Sequence, residues 1–278
     1  MGGNNQSRSQ STVSLQPVTE NQCLSYDFCE KIGEGQFGIV YKGKHQQTNK
    51  TVAIKQLQRP NQDQDPHMLA EIESLKIATH KNVVQYMESF QIGNTIYIVM
   101  EYCDFGHITS FIKSKKPNLK VRMGFIQDIA SGIAHLHGLK ISHRDVKPAN
   151  ILVDIRCVAK LADFGLAKIL SKTSNGKKLE EMYMRSMAGT YAYAAPEVTK
   201  RHYNAQADIF SMGIVFCCIL DDELKGSIEK EMVGLKMHMF PEYTYTVPVK
   251  FEKFMHRLIT QMLQRDYHLR PKAQEIST

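Results

Sequence analysis

No stretch of the chain approaches the roughly eighteen consecutive apolar residues that a membrane-spanning helix needs. The opening segment, rich in Asn, Gln and Ser, lacks the apolar core of a secretion signal, so a cytoplasmic and/or nuclear protein is expected. Cysteine is sparse and unpatterned. The six residues, at 23, 29, 103, 157, 217 and 218, form no CxxC pair, which excludes a zinc ribbon or disulfide framework and leaves reduced, packed thiols. No internal repeat is evident. Residues 1–25 are polar, with Val13, Leu15 and Val18 among the few aliphatics, too little to offset chain entropy, and a flexible tail is expected. Met1-Gly2 meets one requirement for N-myristoylation, but Gln6 stands where Ser or Thr is usual and Ser7 comes one place late, so acylation is not expected.

What is present is a basic chain of 278 residues, 42% hydrophobic and with a net charge of +7, long enough for two domains or one large two-lobed unit. Lys113, Lys115, Lys116, Lys120 and Arg122 fall in a span without acids, and Lys168, Lys172, Lys177 and Lys178 form a second basic stretch. Neither interleaves the aromatics that stack on bases. Solvated surface is therefore the expectation, and nucleic acid is not an expected partner. Between Tyr26 and Tyr102, β-branched and aromatic runs at Phe37–Tyr41, Thr51–Lys55, Val83–Phe90 and Thr95–Glu101 predict strands. Met68, Leu69, Ile72 and Leu75 recur at helical spacing, predicting one amphipathic helix over about 66–78. Beyond Tyr102 the apolar spacing turns helical, most clearly at Phe125–Leu136, Asp208–Leu220 and Phe251–Leu263. The predicted fold class is α+β, a small strand-rich lobe joined to a larger helical one.

Gly33, Gly35 and Gly38 make a G-x-G-x-x-G pattern that also occurs in dinucleotide-binding folds. A Rossmann loop must enter a helix, whereas Phe37, Ile39, Val40 and Tyr41 continue as a strand, so the glycines fit a hairpin that covers phosphates with backbone N–H groups. A plain structural hairpin is the alternative. Lys55, between Ile54 and Leu57, needs an anionic partner if it points inward. Glu71 on the predicted helix suits, with Glu73 as the alternative about 200° round that helix. Farther on, His143-Arg144-Asp145-Val146-Lys147-Pro148-Ala149-Asn150 is followed by Asp163-Phe164-Gly165. These two segments supply a proton acceptor, a cation beside it and two oxygen ligands for Mg²⁺, which together suffice for phosphoryl transfer.

The ordered set of the glycine pattern with Val40, Val52-Ala53-Ile54-Lys55, Glu71, His143-Arg144-Asp145, Asn150, Asp163-Phe164-Gly165, Ala195-Pro196-Glu197 and Asp208 resembles the eukaryotic protein kinase family across residues 26–276. The resemblance implies a bilobal fold with an N-lobe at 26–101, a hinge at 101–104 and a C-lobe at 105–276. It implies ATP and Mg²⁺ as cofactors and proteins as substrates. Asp145 would accept or orient the substrate hydroxyl proton, Lys147 would neutralise the γ-phosphate, and Lys55, paired with Glu71, would hold the α and β phosphates. Asn150 and Asp163 would be the metal ligands. Ile32, Gly33, Glu34, Gly35, Gln36, Phe37 and Gly38 would cover the nucleotide, and Val40, Ala53 and Leu152 would sandwich adenine. Met100 resembles the gatekeeper, and Glu101 and Cys103 the hinge. Leu75, Tyr86, His143 and Phe164 would stack into one spine.

Lys147 and Gly189-Thr190 are similar to serine/threonine kinases rather than tyrosine kinases. Arg144 beside the catalytic aspartate implies control by a phosphate on the activation segment, with Ser186 at the matching position, Ser171, Thr173 and Ser174 as competing sites, and Thr190 as a further regulatory residue. Glu197 and Arg270 would pair as support. Ala149 and His107 stand where basophilic kinases commonly carry glutamate, which argues against a strict preference for upstream arginine. Departures are few: Phe210 replaces the usual tryptophan in a chain that has none, Ala192-Tyr193-Ala194 is an uncommon lead into the Ala-Pro-Glu segment, and the last helix is expected to be short or missing. Tyr203, Ala207 to Phe210, Met212 and Gly213 resemble the PDZ and LIM-protein-interacting kinase subgroup, with NIM-A-related kinases next. The competing expectation is a pseudokinase scaffold, against which Lys55, Asp145, Asn150 and Asp163 are all retained.

Overall fold

The computed structural model describes residues 25–35, 38–58, 66–163, 192–200, 204–221, 228 and 233–277. Five antiparallel strands form the first layer: β1 (Tyr26–Gly35), β2 (Gly38–His45), β3 (Thr51–Gln58), β4 (Tyr86–Ile92) and β5 (Thr95–Glu101), in the order β1-β2-β3-β5-β4. Helix α1 (Pro66–Ile77) links β3 to β4. Period-two alternation sorts the two faces of the sheet. Val52, Ile54 and Val99 join Tyr26 and Phe90 in a small outer cluster. Leu57, Ile96 and Ile98 belong to the main core, with Met100 packed against it. Lys55 thus shares the inner face with Leu57.

The glycine pattern lies in the β1–β2 hairpin, where Gly35 is registered with Gly38 and Gly33 with Val40. A strand follows it, not a helix, as the Phe37–Tyr41 run predicts, although Gln36 and Phe37 themselves lie outside the described residues. Gly38 adopts φ +130°, and a Cβ there would fall 2.0 Å from the Gln56 carbonyl oxygen of β3. Both the backbone conformation and the close approach of β3 require glycine.

The larger lobe contains α2 (Ile108–Lys115), α3 (Leu119–Gly138), the ribbon β6 (Ile151–Val153) and β7 (Ala159–Leu161), α4 (Ala205–Leu220), α5 (Val233–Met239), α6 (Lys253–Met262) and the short α7 (Ala273–Ile276). Local chemistry sets the helix ends. The Asn118 side chain caps α3 by accepting from the Val121 N–H, and Asn204 caps α4 by accepting from the Gln206 N–H. Every residue from Ala207 to Ile219 is buried, so α4 is the central helix of this lobe, enclosed on all sides. One hydrophobic core runs from Leu57 and Ile98 in the sheet through α3 to α4 and α6. Among the described residues no helix is long and apolar enough to cross a membrane. Cys29, Cys103, Cys157, Cys217 and Cys218 are all free thiols.

Candidate active site

Where β3, the β6–β7 ribbon and the loop after α3 converge, the chemistry-bearing side chains gather. Lys55 is only 6% exposed, and its Nζ lies 2.6 Å from Asp163 Oδ1. The expected Glu71 lies on α1, but its side chain falls outside those described. Glu73 is engaged elsewhere, 2.7 Å from Lys76 Nζ at the surface, which removes it as the alternative. Burial pushes the Asp163 carboxyl up, but the charge and hydrogen bond of Lys55, together with the charges of His143 and Lys147, more than offset this and hold it below the usual carboxylate range. With 43% of its side-chain surface open, Asp163 is not sealed from solvent, and Lys55 is its foremost charge partner.

Asp145 is fixed from several sides. Asn150 Nδ2 donates to the Asp145 backbone carbonyl at 2.9 Å and to its Oδ2 at 2.9 Å, and Lys147 Nζ stands 2.8 Å from the same Oδ2. The other carboxylate oxygen, Oδ1, is buried and has no hydrogen-bond partner among the described residues. A carboxylate oriented through one oxygen, with the other unpartnered among the described residues, suits acceptance of a hydroxyl proton. The Asp145 N–H donates to His143 Nδ1 at 3.3 Å, so this nitrogen of the fully buried imidazole carries no proton.

The loop is held by Asp208 at the start of α4. Its Oδ1 accepts the Arg144 N–H at 2.8 Å, and its Oδ2 accepts the His143 N–H at 2.8 Å and His137 Nε2 at 2.9 Å. Arg144 has φ +68° and Asp163 φ +56°, left-handed conformations that persist in non-glycine residues only where the surroundings fix them. The three bonds to Asp208 supply that constraint for Arg144. Burial raises the Asp208 carboxyl, but the hydrogen bond and charge of His137, with His143 and the Arg144 N–H, outweigh it, and the net direction is downward.

Burial holds His143 and His80 below the usual imidazole value. Folding therefore favours their neutral forms. Their contribution is complete above the unfolded value of about 6.5 and is lost as pH falls through and below it. The thermal midpoint is expected to fall as pH is lowered from about 7.5 to about 5.5. A flat or rising midpoint, measured by calorimetry, contradicts this.

Glu197 and Arg270 meet as a buried bidentate pair, Nη1–Oε1 at 2.5 Å and Nη2–Oε2 at 2.9 Å. The Arg270 guanidinium also lies 5.1 Å from the centre of the Phe210 ring, so phenylalanine in the expected tryptophan position serves as its cation–π partner. His238 joins the same region, its Nδ1 donating to the Pro196 carbonyl at 3.1 Å.

Around the expected adenine pocket, Val40 is registered with Lys55, Ala53 with Met100, and Met100 with Tyr86. Val40, Ala53, Met100 and Leu152 are all half-buried. Glu101 closes β5, and Cys103 is buried with its thiol pushed up to about 12. At the hairpin, Ile32 and Glu34 are exposed on β1. Leu75 belongs to the main core, where Tyr86 packs. Phe164, Gly165, Ser186 and Thr190 lie outside the described residues. Sequence reasoning missed His137, which binds Asp208 from α3, and the Lys160–Glu101 pair. Neither has a local signal, since the partners are 71 and 59 positions apart. Among the described residues no cluster of three or more His, Cys, Asp or Glu side chains could hold a metal by itself. The Asp163 carboxylate and the Asn150 carboxamide would supply two hard oxygen donors, a donor type that suits Mg²⁺.

A family model described as "Protein kinase domain" matches residues 26–278. The chain is similar to serine/threonine-protein kinase pakF of Dictyostelium discoideum, 32% identical over 241 residues, 85% of this chain and 20% of that protein. It is likewise similar to serine/threonine-protein kinase Nek5 of Homo sapiens, 33% identical over 264 residues, 90% of this chain and 35% of that one. A third relative is serine/threonine-protein kinase TIO of Arabidopsis thaliana, 34% identical over 195 residues, 68% of this chain and 14% of that protein. The chain thus spans between 14% and 35% of the length of these three relatives. An antiparallel sheet over a helical lobe, a lysine meeting the aspartate after β7, and a family match over nearly the whole chain lead to one conclusion: the chain belongs to the eukaryotic serine/threonine protein kinase family.

Proposed function

We propose that this chain transfers the γ-phosphoryl group of ATP to serine and threonine hydroxyls of protein substrates. The observation that carries the reading is the Asp145 carboxylate, one oxygen bound by Asn150 and Lys147 and the other without a partner among the described residues. In this reading Asp145 Oδ1 accepts the proton of the attacking hydroxyl. Lys147, 2.8 Å from the same carboxylate, would neutralise the incoming phosphoryl oxygens. The Lys55–Asp163 contact brings the cation for the α and β phosphates next to a metal-binding carboxylate. Mg²⁺, when bound with nucleotide, offsets the charge spread over the phosphoryl oxygens. Positioning dominates such a reaction, and Asp208 and the Glu197–Arg270 pair provide it on the protein side. The half-buried Arg144 next to Asp145 supports control by a phosphate on Ser186.

The test is ATP consumption with Mg²⁺ and a generic protein substrate, compared between wild type and Lys55→Met. Loss of this preorganised cation is expected to lower the rate by about 10²–10³. Equal rates would favour a non-catalytic scaffold.

A further inference from the structure

Lys160 has no role in the transfer proposed above. It lies on β7, registered with Leu152 of β6 and three positions before Asp163, yet it is only 4% exposed. Its Nζ lies 2.8 Å from Glu101 Oε1. A lysine so enclosed is tolerated only with its charge paired. Glu101 is committed in turn: the same Oε1 accepts the Gln85 N–H at 2.7 Å, and the Glu101 N–H donates to the Gln85 carbonyl at 3.0 Å. The segment containing Gln85 is itself laced to β7. Leu161 donates its N–H to the Asn82 carbonyl at 2.9 Å, and Val84 donates to the Leu161 carbonyl at 2.9 Å. One extended segment and one buried ion pair therefore join the first hinge residue to the strand that leads into Asp163.

We infer that Lys160 is a positioning residue for the nucleotide. By holding the Glu101 carboxylate it sets the hinge backbone, which would meet the base, at a fixed separation from Asp163, which would meet the phosphate end. The inference rests on the nucleotide-binding reading above. Lys160 acts through Glu101 and touches no reacting atom, so its loss weakens nucleotide binding more than turnover.

Lys160→Met keeps the aliphatic stem and removes the ammonium. Its KM for ATP, and its Kd for a fluorescent ATP analogue with Mg²⁺, are expected to rise about tenfold, while kcat and the KM for a peptide substrate stay within about twofold. Glu101→Gln is expected to weaken analogue binding similarly, and the double variant no further, because both changes remove one shared pair. Additive losses, unchanged analogue binding by Lys160→Met, or a fall in kcat at constant KM overturns the inference alone. A wild type that fails to bind the analogue overturns it together with the reading it rests on. If Lys160→Met does not fold, Glu101→Gln must still show the tenfold loss, and normal binding by it overturns the inference.

Discussion

Asp145→Asn is expected to lower kcat by about 10²–10⁴, the range for loss of a positioned acid or base. The substitution is nearly isosteric. Oδ2 becomes or faces an amide, but Asn150 can still donate to the backbone carbonyl of residue 145, so the loop keeps one of its two anchors. What disappears is the anionic oxygen that has no partner among the described residues. Binding of nucleotide does not depend on that oxygen, so the KM for ATP is expected to stay within about threefold. Steady-state kinetics of the purified variant provide the check. Turnover near wild type would remove Asp145 from its role.

Arg270→Ala has the largest expected effect on stability. It leaves Glu197, 8% exposed, as a buried carboxylate without its bidentate partner, and also withdraws the guanidinium from the carbonyls of Gln206 and Gln264 and from the Phe210 ring. Breaking one side of a buried pair costs about 3–5 kcal/mol, or about 6–20 °C in Tm for a domain of this size. Arg270→Lys is expected to recover only part of this, since an ammonium cannot reproduce the two-pronged geometry. Calorimetry of the three proteins decides, and a Tm for Arg270→Ala within about 2 °C of wild type would show that the pair carries no weight.

Legibility in the sequence follows the range of the interactions. Thr95–Glu101 reads as a strand and is one, because alternating burial is written into neighbouring residues. The predicted helix over about 66–78 and the observed α1, Pro66–Ile77, agree for the same reason at period 3.6. Val83–Phe90 is less regular than its composition predicts: β4 begins at Tyr86, and Val83 instead forms a single parallel bridge to Leu161. Strand β1 is hidden by Asp27, Glu30, Lys31 and Glu34, all exposed, and by two register shifts that break alternation. Strands β6 and β7, three residues each, are too short for any period to register.

The site divides in the same way. Asp145, Lys147 and Asn150 are legible because the loop packs them within a few positions, and the structure brings them together. Glu197 with Arg270, 73 positions apart, is visible only through the family resemblance. The contact of Lys55 with Asp163 spans 108 positions, and no local spacing announces it. Lys160 with Glu101 and His137 with Asp208 are set by tertiary packing alone. Buried charges are what the sequence conceals best, since a lysine in a strand looks solvated until its partner is located.

The most direct test of phosphoryl transfer is mass-spectrometric identification of the acceptor residue. A mixture of unmodified proteins would be incubated with ATP and Mg²⁺ and either wild type or Lys55→Met. The expected result is phosphoserine and phosphothreonine with wild type, falling to background with the variant. Phosphate confined to tyrosine, or no difference between the two proteins, would contradict it.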